Sequence, residues 1–184
     1  MTSPRLRKDA AQNWQQIVDA ARQCTPPLRL NEVARAASVG VATVYRHFPT
    51  PEALLETLAR PHLEEMTAHA ERALGSDDAW DAFRGFFVAG IDAQLGDASV
   101  QPVFAASAHV LPETTGLVTR LHALASELLD RARAAGAVRP DVTHADVTRL
   151  MCGVVYAATV HATADERPAL TRHYLDVVLR GLRA

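Results

Sequence analysis

The sequence predicts an all-α chain: an N-terminal three-helix domain containing a helix-turn-helix, then a larger helical domain, about nine helices in all. Three observations carry this. Apolar residues recur at spacings of three and four, and nowhere alternate as a strand requires. Ala, Leu, Val and Arg dominate a chain that is 48% hydrophobic but only 5% aromatic, a balance that favours helix. The stretch LRLNEVARAASVGVATVYRHF, Leu28 to Phe48, reads as two short helices around the turn Ser38-Val39-Gly40. Its second half sets Thr43, Tyr45, Arg46 and His47 in little more than one turn. Those polar, planar and cationic tips are not what apolar packing needs. They are the layout of a helix-turn-helix, whose second helix enters the major groove of DNA.

Taken in order, residues 1–8 are polar and basic and read as a mobile arm. A first helix is predicted over Asp9–Gln23, with Ala10, Trp14, Ile17, Val18 and Ala21 on one stripe. Thr25-Pro26-Pro27 stops it. The second and third helices follow, over Asn31–Ala37 and Val41–Phe48. Val33, Ala34, Ala37, Val39, Val44 and Phe48 form the core they share with the first. Thr50-Pro51-Glu52 is a strong start for a fourth helix: a hydroxyl cap, proline at the first position and an acid near the positive end of the dipole. It should run to Leu74, kinked or broken at Pro61, with Gly75 as its stop.

Ser76 or Asp77 caps a fifth helix to Leu95, and Ser99 a short sixth to His109. A seventh runs from Pro112 to Ala135, with Gly136 after it. Thr143 with Asp146 three residues on resembles a capping box and opens an eighth helix, His144–Thr163. A ninth closes the chain from Pro168 to Leu182. The natural boundary divides a head, residues 1–50, from a body, residues 51–184.

Charge follows that division. Residues 1–50 hold seven Lys/Arg against three Asp/Glu, and residues 51–184 hold twelve against eighteen. A basic head on an acidic body points to a local polyanion-binding surface. Cys24 and Cys152 lie far apart without CxxC spacing, so neither a disulfide framework nor a zinc site is expected. No signal peptide or membrane span is expected, which predicts a cytoplasmic protein. Enzyme chemistry finds no Gly-rich phosphate loop, nucleophile elbow or HExxH. Cys152, His161 and Asp165 have no triad spacing. His62 and His69 are two turns apart, so no metal site is expected.

AASVGVATVYRHFPTPEALLETL resembles the signature of the TetR family of transcriptional regulators. Tyr45, Phe48, Thr50, Glu52, Leu54 and Leu55 match its pattern, as do Ile17 and Ala20-Ala21 upstream. The specific match covers residues 9–60. Further on, GAVRPDVTHADVTRLMCGV is similar to segments that precede the family's dimerisation helices. The resemblance implies a DNA-binding regulator of double-stranded DNA, not an enzyme, which responds to a small-molecule effector and needs no other cofactor. It puts Val41, Ala42, Thr43 and Arg46 at base edges, where methyl groups meet thymine and the guanidinium meets guanine. Arg29, Tyr45 and His47 are implied phosphate contacts, joined by Arg5, Arg7 and Lys8.

One recognition helix covers few base pairs, so a homodimer on a palindromic operator is implied. Its interface is expected on the eighth and ninth helices, through Gly153, Ala157, Ala158 and Ala162 and through Leu175, Val178, Leu179 and Leu182. The body should enclose an effector, with Met66, Phe83, Phe87, Phe104, His109, His122, Met151 and Tyr156 as candidate contacts. A mostly apolar pocket uses a few polar groups for orientation. Three positions depart from the family pattern. Ser38 stands where glycine is usual, so strain is expected there, partly taken by Gly40. Arg29 replaces a capping hydroxyl, passing the cap to Asn31. Pro51 removes a cation at the start of the fourth helix. The alternative function is therefore a TetR-like ligand-binding or scaffold protein with weakened DNA binding.

Overall fold

The computed structural model describes residues 4–24 and 27–184, with side chains from Asp9 onward. These residues form nine helices: α1 (Pro4–Arg22), α2 (Leu30–Ala36), α3 (Val41–His47), α4 (Pro51–Leu74), α5 (Ala79–Gly96), α6 (Val100–Ala105), α7 (Pro112–Ala134), α8 (His144–Thr159) and α9 (Arg167–Leu182). Among the described residues there is no strand, only an isolated antiparallel bridge between Val138 and Arg183. Residues 4–8 are helical, where an arm was expected. Proline suits the first position of α1, and Leu6, Arg7 and Lys8 are good helix formers. The expected stop at Thr25-Pro26 lies outside the described residues.

The ends of the helices follow local chemistry. Thr50 Oγ1 accepts the Ala53 N–H at 3.2 Å, and Pro51 opens α4. Pro61 lies within α4 and does not end it. It forfeits one backbone bond, while Leu58, Ala59, Leu63 and Met66 around it stay buried and α4 packs along α5 and α7. The cap of α5 is Asp78, not Ser76 or Asp77: its carboxylate accepts the Asp81 N–H at 2.8 Å. Thr143 and Asp146 form the reciprocal capping box at the start of α8. That helix stops at Thr159, earlier than expected. Its end is followed by His161 at φ 55° and by Glu166, which accepts the Thr163 N–H at 2.8 Å. Helix α6 also stops early, at Ala105. The N–H groups of Val110 and Leu111, which a longer helix would have used, go instead to the two oxygens of buried Glu56, at 2.8 and 2.9 Å.

Two cores result, and α4 belongs to both. The head core joins Ile17, Val18 and Ala21 to Leu30, Val33, Ala34, Val44 and Phe48, and takes Leu54 and Leu58 from α4. The body core begins at Ala59 and Leu63, and Leu55 packs against both. The stripe expected on α1 is buried only from Ile17: Ala10 is exposed, and Trp14 rests against the Phe48 ring at 6.3 Å with one face open. The body core is dense. A Cβ on Gly90 would stand 2.0 Å from Met151 Cε, so any larger residue there would have to displace the end of the Met151 side chain where α5 meets α8.

Candidate nucleic-acid interface and effector body

The recognition helix α3 turns Val44 inward, fully buried. It leaves Val41, Ala42, Tyr45 and Arg46 exposed, with Thr43 and His47 half-buried. Tyr45 is 47% exposed, so its phenol is not a core group. The Arg46 side chain folds back along its own helix, donating to the Ala42 carbonyl at 3.2 Å and to Thr43 Oγ1 at 3.3 Å. A shallow groove beside the helix is lined by Arg29, Asn31, Glu32, Arg35, Tyr45 and Pro51. It gathers two arginines next to the tyrosine hydroxyl. Arg35 was not among the sequence candidates, although it shares a face of α2 with Asn31 at i, i+4.

The three departures from the family pattern have structural counterparts. Ser38 sits at φ 54°, in the left-handed region that favours glycine. Gly40, at φ −64° and ψ 138°, takes none of that strain and serves as the N-cap of α3. Arg29 is the N-cap of α2 with no side-chain cap bond, and Asn31 lies within the helix, so the cap does not pass to it. The Arg29 guanidinium reaches Glu32 at 3.5 Å. Pro51 leaves Thr50 as the sole side-chain cap of α4. The side chains of Arg5, Arg7 and Lys8 lie outside what is described.

In the body, the candidate effector contacts do not surround one cavity. Met66, Phe83, Phe87 and Met151 are buried in the body core, and Met66 also lines a cavity of about 370 Å³ between α4 and α5, beside His62, Glu65 and His69. Tyr156 is 66% exposed on the outer side of α8, which corrects the expectation that it lines the interior. Its spacing fits a helix with two faces, and the inward one is held by Val147, Met151, Val154, Val155 and Ala158.

Phe104, His109 and His122 are drawn together with a residue the sequence reading missed, His144, the first residue of α8. The His122 ring meets His144 at 5.1 Å and Phe104 at 6.2 Å, both edge to face. Burial, then the nearby His144 and His109, hold the His122 imidazole below its ordinary pKa. Burial does the same to His144. The side chain of His109 is 7% exposed, and its Nδ1 stands 3.9 Å from Glu56 Oε1. Among the described residues, no three His, Cys, Asp or Glu side chains are placed to hold a metal ion.

A separate cleft of about 700 Å³ opens between α5–α6 and α8–α9, lined by Gln94, Leu95, Gln101, Val155, Thr159, Arg167 and Arg172, among others. It too was not anticipated, because it is formed between helix ends distant in the chain. Among the described residues no helix is long and apolar enough to cross a membrane.

An exposed polar recognition helix on a three-helix head, joined through α4 to an all-helical body, defines a helix-turn-helix regulator of the TetR type. Residues 26–58 match the family of bacterial regulatory proteins of the tetR type, and residues 77–184 match the transcriptional regulator SbtR-like C-terminal domain. The chain belongs to the TetR family: it is a DNA-binding transcriptional regulator and not an enzyme. It is 28% identical to a TetR transcriptional regulator from Streptomyces coelicolor, covering 95% of this chain and 98% of that one, at a TM-score of 0.55. A TetR transcription regulatory protein from Mycobacterium vanbaalenii is 27% identical over 97% of this chain and 99% of its own, at 0.51. The transcriptional regulator FadR from Bacillus subtilis, in complex with stearoyl-CoA, shares the fold at 15% identity and a TM-score of 0.64, over 92% of this chain and 100% of that one. No curated protein matches the chain.

Proposed function

We propose that the chain is a ligand-responsive repressor that binds a palindromic operator as a homodimer through α8 and α9. The observation that carries the DNA-reading half is the outer face of α3, where Val41, Ala42, Tyr45 and Arg46 are exposed to solvent while Val44 anchors the helix. Val41, Ala42 and the Thr43 methyl meet thymine methyls, Arg46 meets guanine, and Arg29, Tyr45 and His47 hold phosphates. Each cation neutralising a phosphate adds about −0.9 to the slope of log affinity against log salt. Of the residues expected at the interface, Ala158 and Leu182 are buried within the subunit, and Leu175, Val178 and Leu179 pack against its own core. Dimerisation is supported instead by the outward residues Gly153, Tyr156 and Ala157 on α8 and His173, Val177 and Gly181 on α9. A side chain added at Gly153 or Gly181 would meet nothing.

The effector belongs in the body, where Phe104, His109 and His122 meet beside α4. FadR from Bacillus subtilis binds stearoyl-CoA on the same fold, and an organic effector is proposed here too. It acts by binding more tightly to one separation of the two heads than to the other.

A mobility-shift titration with the DNA upstream of the protein's own gene, over a salt series, tests the reading. A saturable complex that weakens with salt supports it. No specific complex at low salt, from a protein shown to be a folded dimer, sinks it. That outcome selects the second reading, a ligand-binding protein with a weakened head, for which the strained Ser38 and the uncapped Arg29 speak. Tyr45→Ala should abolish the complex and leave the melting temperature almost unchanged, since the phenol is half exposed.

A further inference from the structure

We propose that His109, His122 and His144 are the polar anchor of the effector site, and that its ligand is a small, neutral ring compound bearing a hydroxyl group. The inference rests on the reading of the body as an effector-binding domain and names the chemistry of that site.

The starting observation is a deficit. His109 Nδ1, His122 Nε2 and both ring nitrogens of His144 are buried without a hydrogen-bond partner. Native proteins pair nearly all such atoms, because an unpaired buried donor or acceptor has lost its water without replacement. The four atoms come from three separate elements: the loop between α6 and α7, the middle of α7 and the first turn of α8. Packing alone does not require this, since Phe or Leu would fill the same space at no polar cost. The cleft between α5–α6 and α8–α9 shows no such deficit. Its buried Gln94 already donates to the Gly90 carbonyl at 3.0 Å and accepts from the Cys152 thiol at 3.6 Å.

The charge of the ligand follows from what surrounds the rings. An anion would face buried Glu56, 3.9 Å from His109. It would gain little from the start of α8, where Thr143 and Asp146 already close the capping box. A cation would have to be desolvated with only Glu56 to balance it, and both Glu56 oxygens are committed to Val110 and Leu111. A metal ion finds no three converging donors.

A neutral hydroxyl has none of these costs. It donates and accepts, so it satisfies an imidazole in either tautomer. The edge-to-face arrangement of Phe104, His122 and His144 suits a flat ring as the apolar part. The site also has a route to DNA. His109 sits in the loop that Glu56 straps to α4, one turn from Leu54 and Leu58 of the head core.

The test uses phenol as the probe, with toluene, benzoate and benzylamine as ring compounds of similar size. Imidazole resonances of the full-length protein are followed by NMR through each titration. Phenol should shift the His122 and His144 rings saturably, and toluene, benzoate and benzylamine should not. His122→Phe should weaken phenol binding by roughly tenfold or more, the loss of about one hydrogen bond in a dry site. If His122→Phe melts early, His144→Asn is read instead, because the cap of α8 lies on Thr143 and Asp146. No ring shift up to the solubility of phenol overturns the proposal. So does equal binding of toluene, tighter binding of benzoate or benzylamine, or the same shifts with zinc alone. Operator binding is measured on the same preparation without phenol. Failure of the regulator reading then appears as a missing DNA complex, and failure of this one as silent histidines.

Discussion

Arg46 donates to Thr43 Oγ1 at 3.3 Å, one turn back along the recognition helix, and to the Ala42 carbonyl at 3.2 Å. The side chain best suited to reading guanine is therefore held against its own helix in the unbound protein. Those contacts are worth about 1 kcal/mol each at most in an exposed setting, less than a bidentate guanine contact provides. Arg46→Ala is expected to cost about 1–3 kcal/mol on the cognate duplex and little on a scrambled one. Thr43→Val keeps the methyl and the shape and should move affinity by less than about 1 kcal/mol. Anisotropy titrations with the two duplexes read both effects. Equal losses on both duplexes would make Arg46 a phosphate contact.

Ser38 is expected to be a site where stability can be gained. Its φ of 54° is the conformation that glycine adopts without a Cβ clash, and the penalty for an ordinary residue is roughly 1–2 kcal/mol. The side chain is exposed, so nothing is lost by removing it. Ser38→Gly should raise the melting temperature by roughly 2–4 °C per kcal/mol recovered. A fall on differential scanning calorimetry would show that the greater freedom of glycine in the unfolded chain outweighs the relieved strain.

Glu56 shows where reading the sequence reached its limit. Periodicity located every helix, because burial imposes spacings of three and four whatever the partner, and caps such as Thr50 and Thr143 announce themselves within four residues. A contact between Glu56 and residues 110 and 111 leaves no local pattern, and in the sequence Glu56 is one more acid on a charged helix. For the same reason the sequence predicts α6 running on to His109, where the structure ends it at Ala105. The exposed face of α3 was legible because its residues are consecutive. The histidine cluster was half legible, since His144 belongs to it only through the crossing of α7 and α8. Glu56→Leu removes the acceptor of the Val110 and Leu111 N–H groups, at a cost of about 0.5–1.5 kcal/mol for each half-buried bond. Urea unfolding of Glu56→Leu beside Glu64→Leu, an exposed position on the same helix, checks that only the first is costly.

Dimerisation is tested where the subunit has nothing to lose. Tyr156 and Val177 are 66% and 53% exposed, and a Cβ at Gly153 has open space around it. Tyr156→Arg and Gly153→Arg should leave the melting of the isolated subunit within about 0.5 kcal/mol, as surface substitutions do. Each should shift the sedimentation coefficient from dimer to monomer and weaken operator binding with it. A variant that stays dimeric places the interface elsewhere.

The last expectation concerns pH. Burial, reinforced at His122 by the other two histidines, holds the imidazoles of His122 and His144 below their ordinary value. In the unfolded chain both titrate near about 6.5. Above that pH neither state carries the protons and the two groups contribute nothing to the pH dependence. Below it the unfolded chain takes up protons that the folded one resists, so stability falls as pH drops from about 6.5. Asp146 and Glu166 act in the same direction, because hydrogen bonds from Thr143 and Thr163 keep their carboxyls low, but only below about pH 4. The window between about pH 5 and 6.5 therefore isolates the histidines. Urea midpoints across that window should decline in the natural protein and decline less in His122→Phe. Phenol bound at the rings should raise the midpoints across the window, because a ligand held by the folded state alone stabilises it. Equal slopes with and without His122 would place the pH dependence in other groups and remove this support for a neutral cluster.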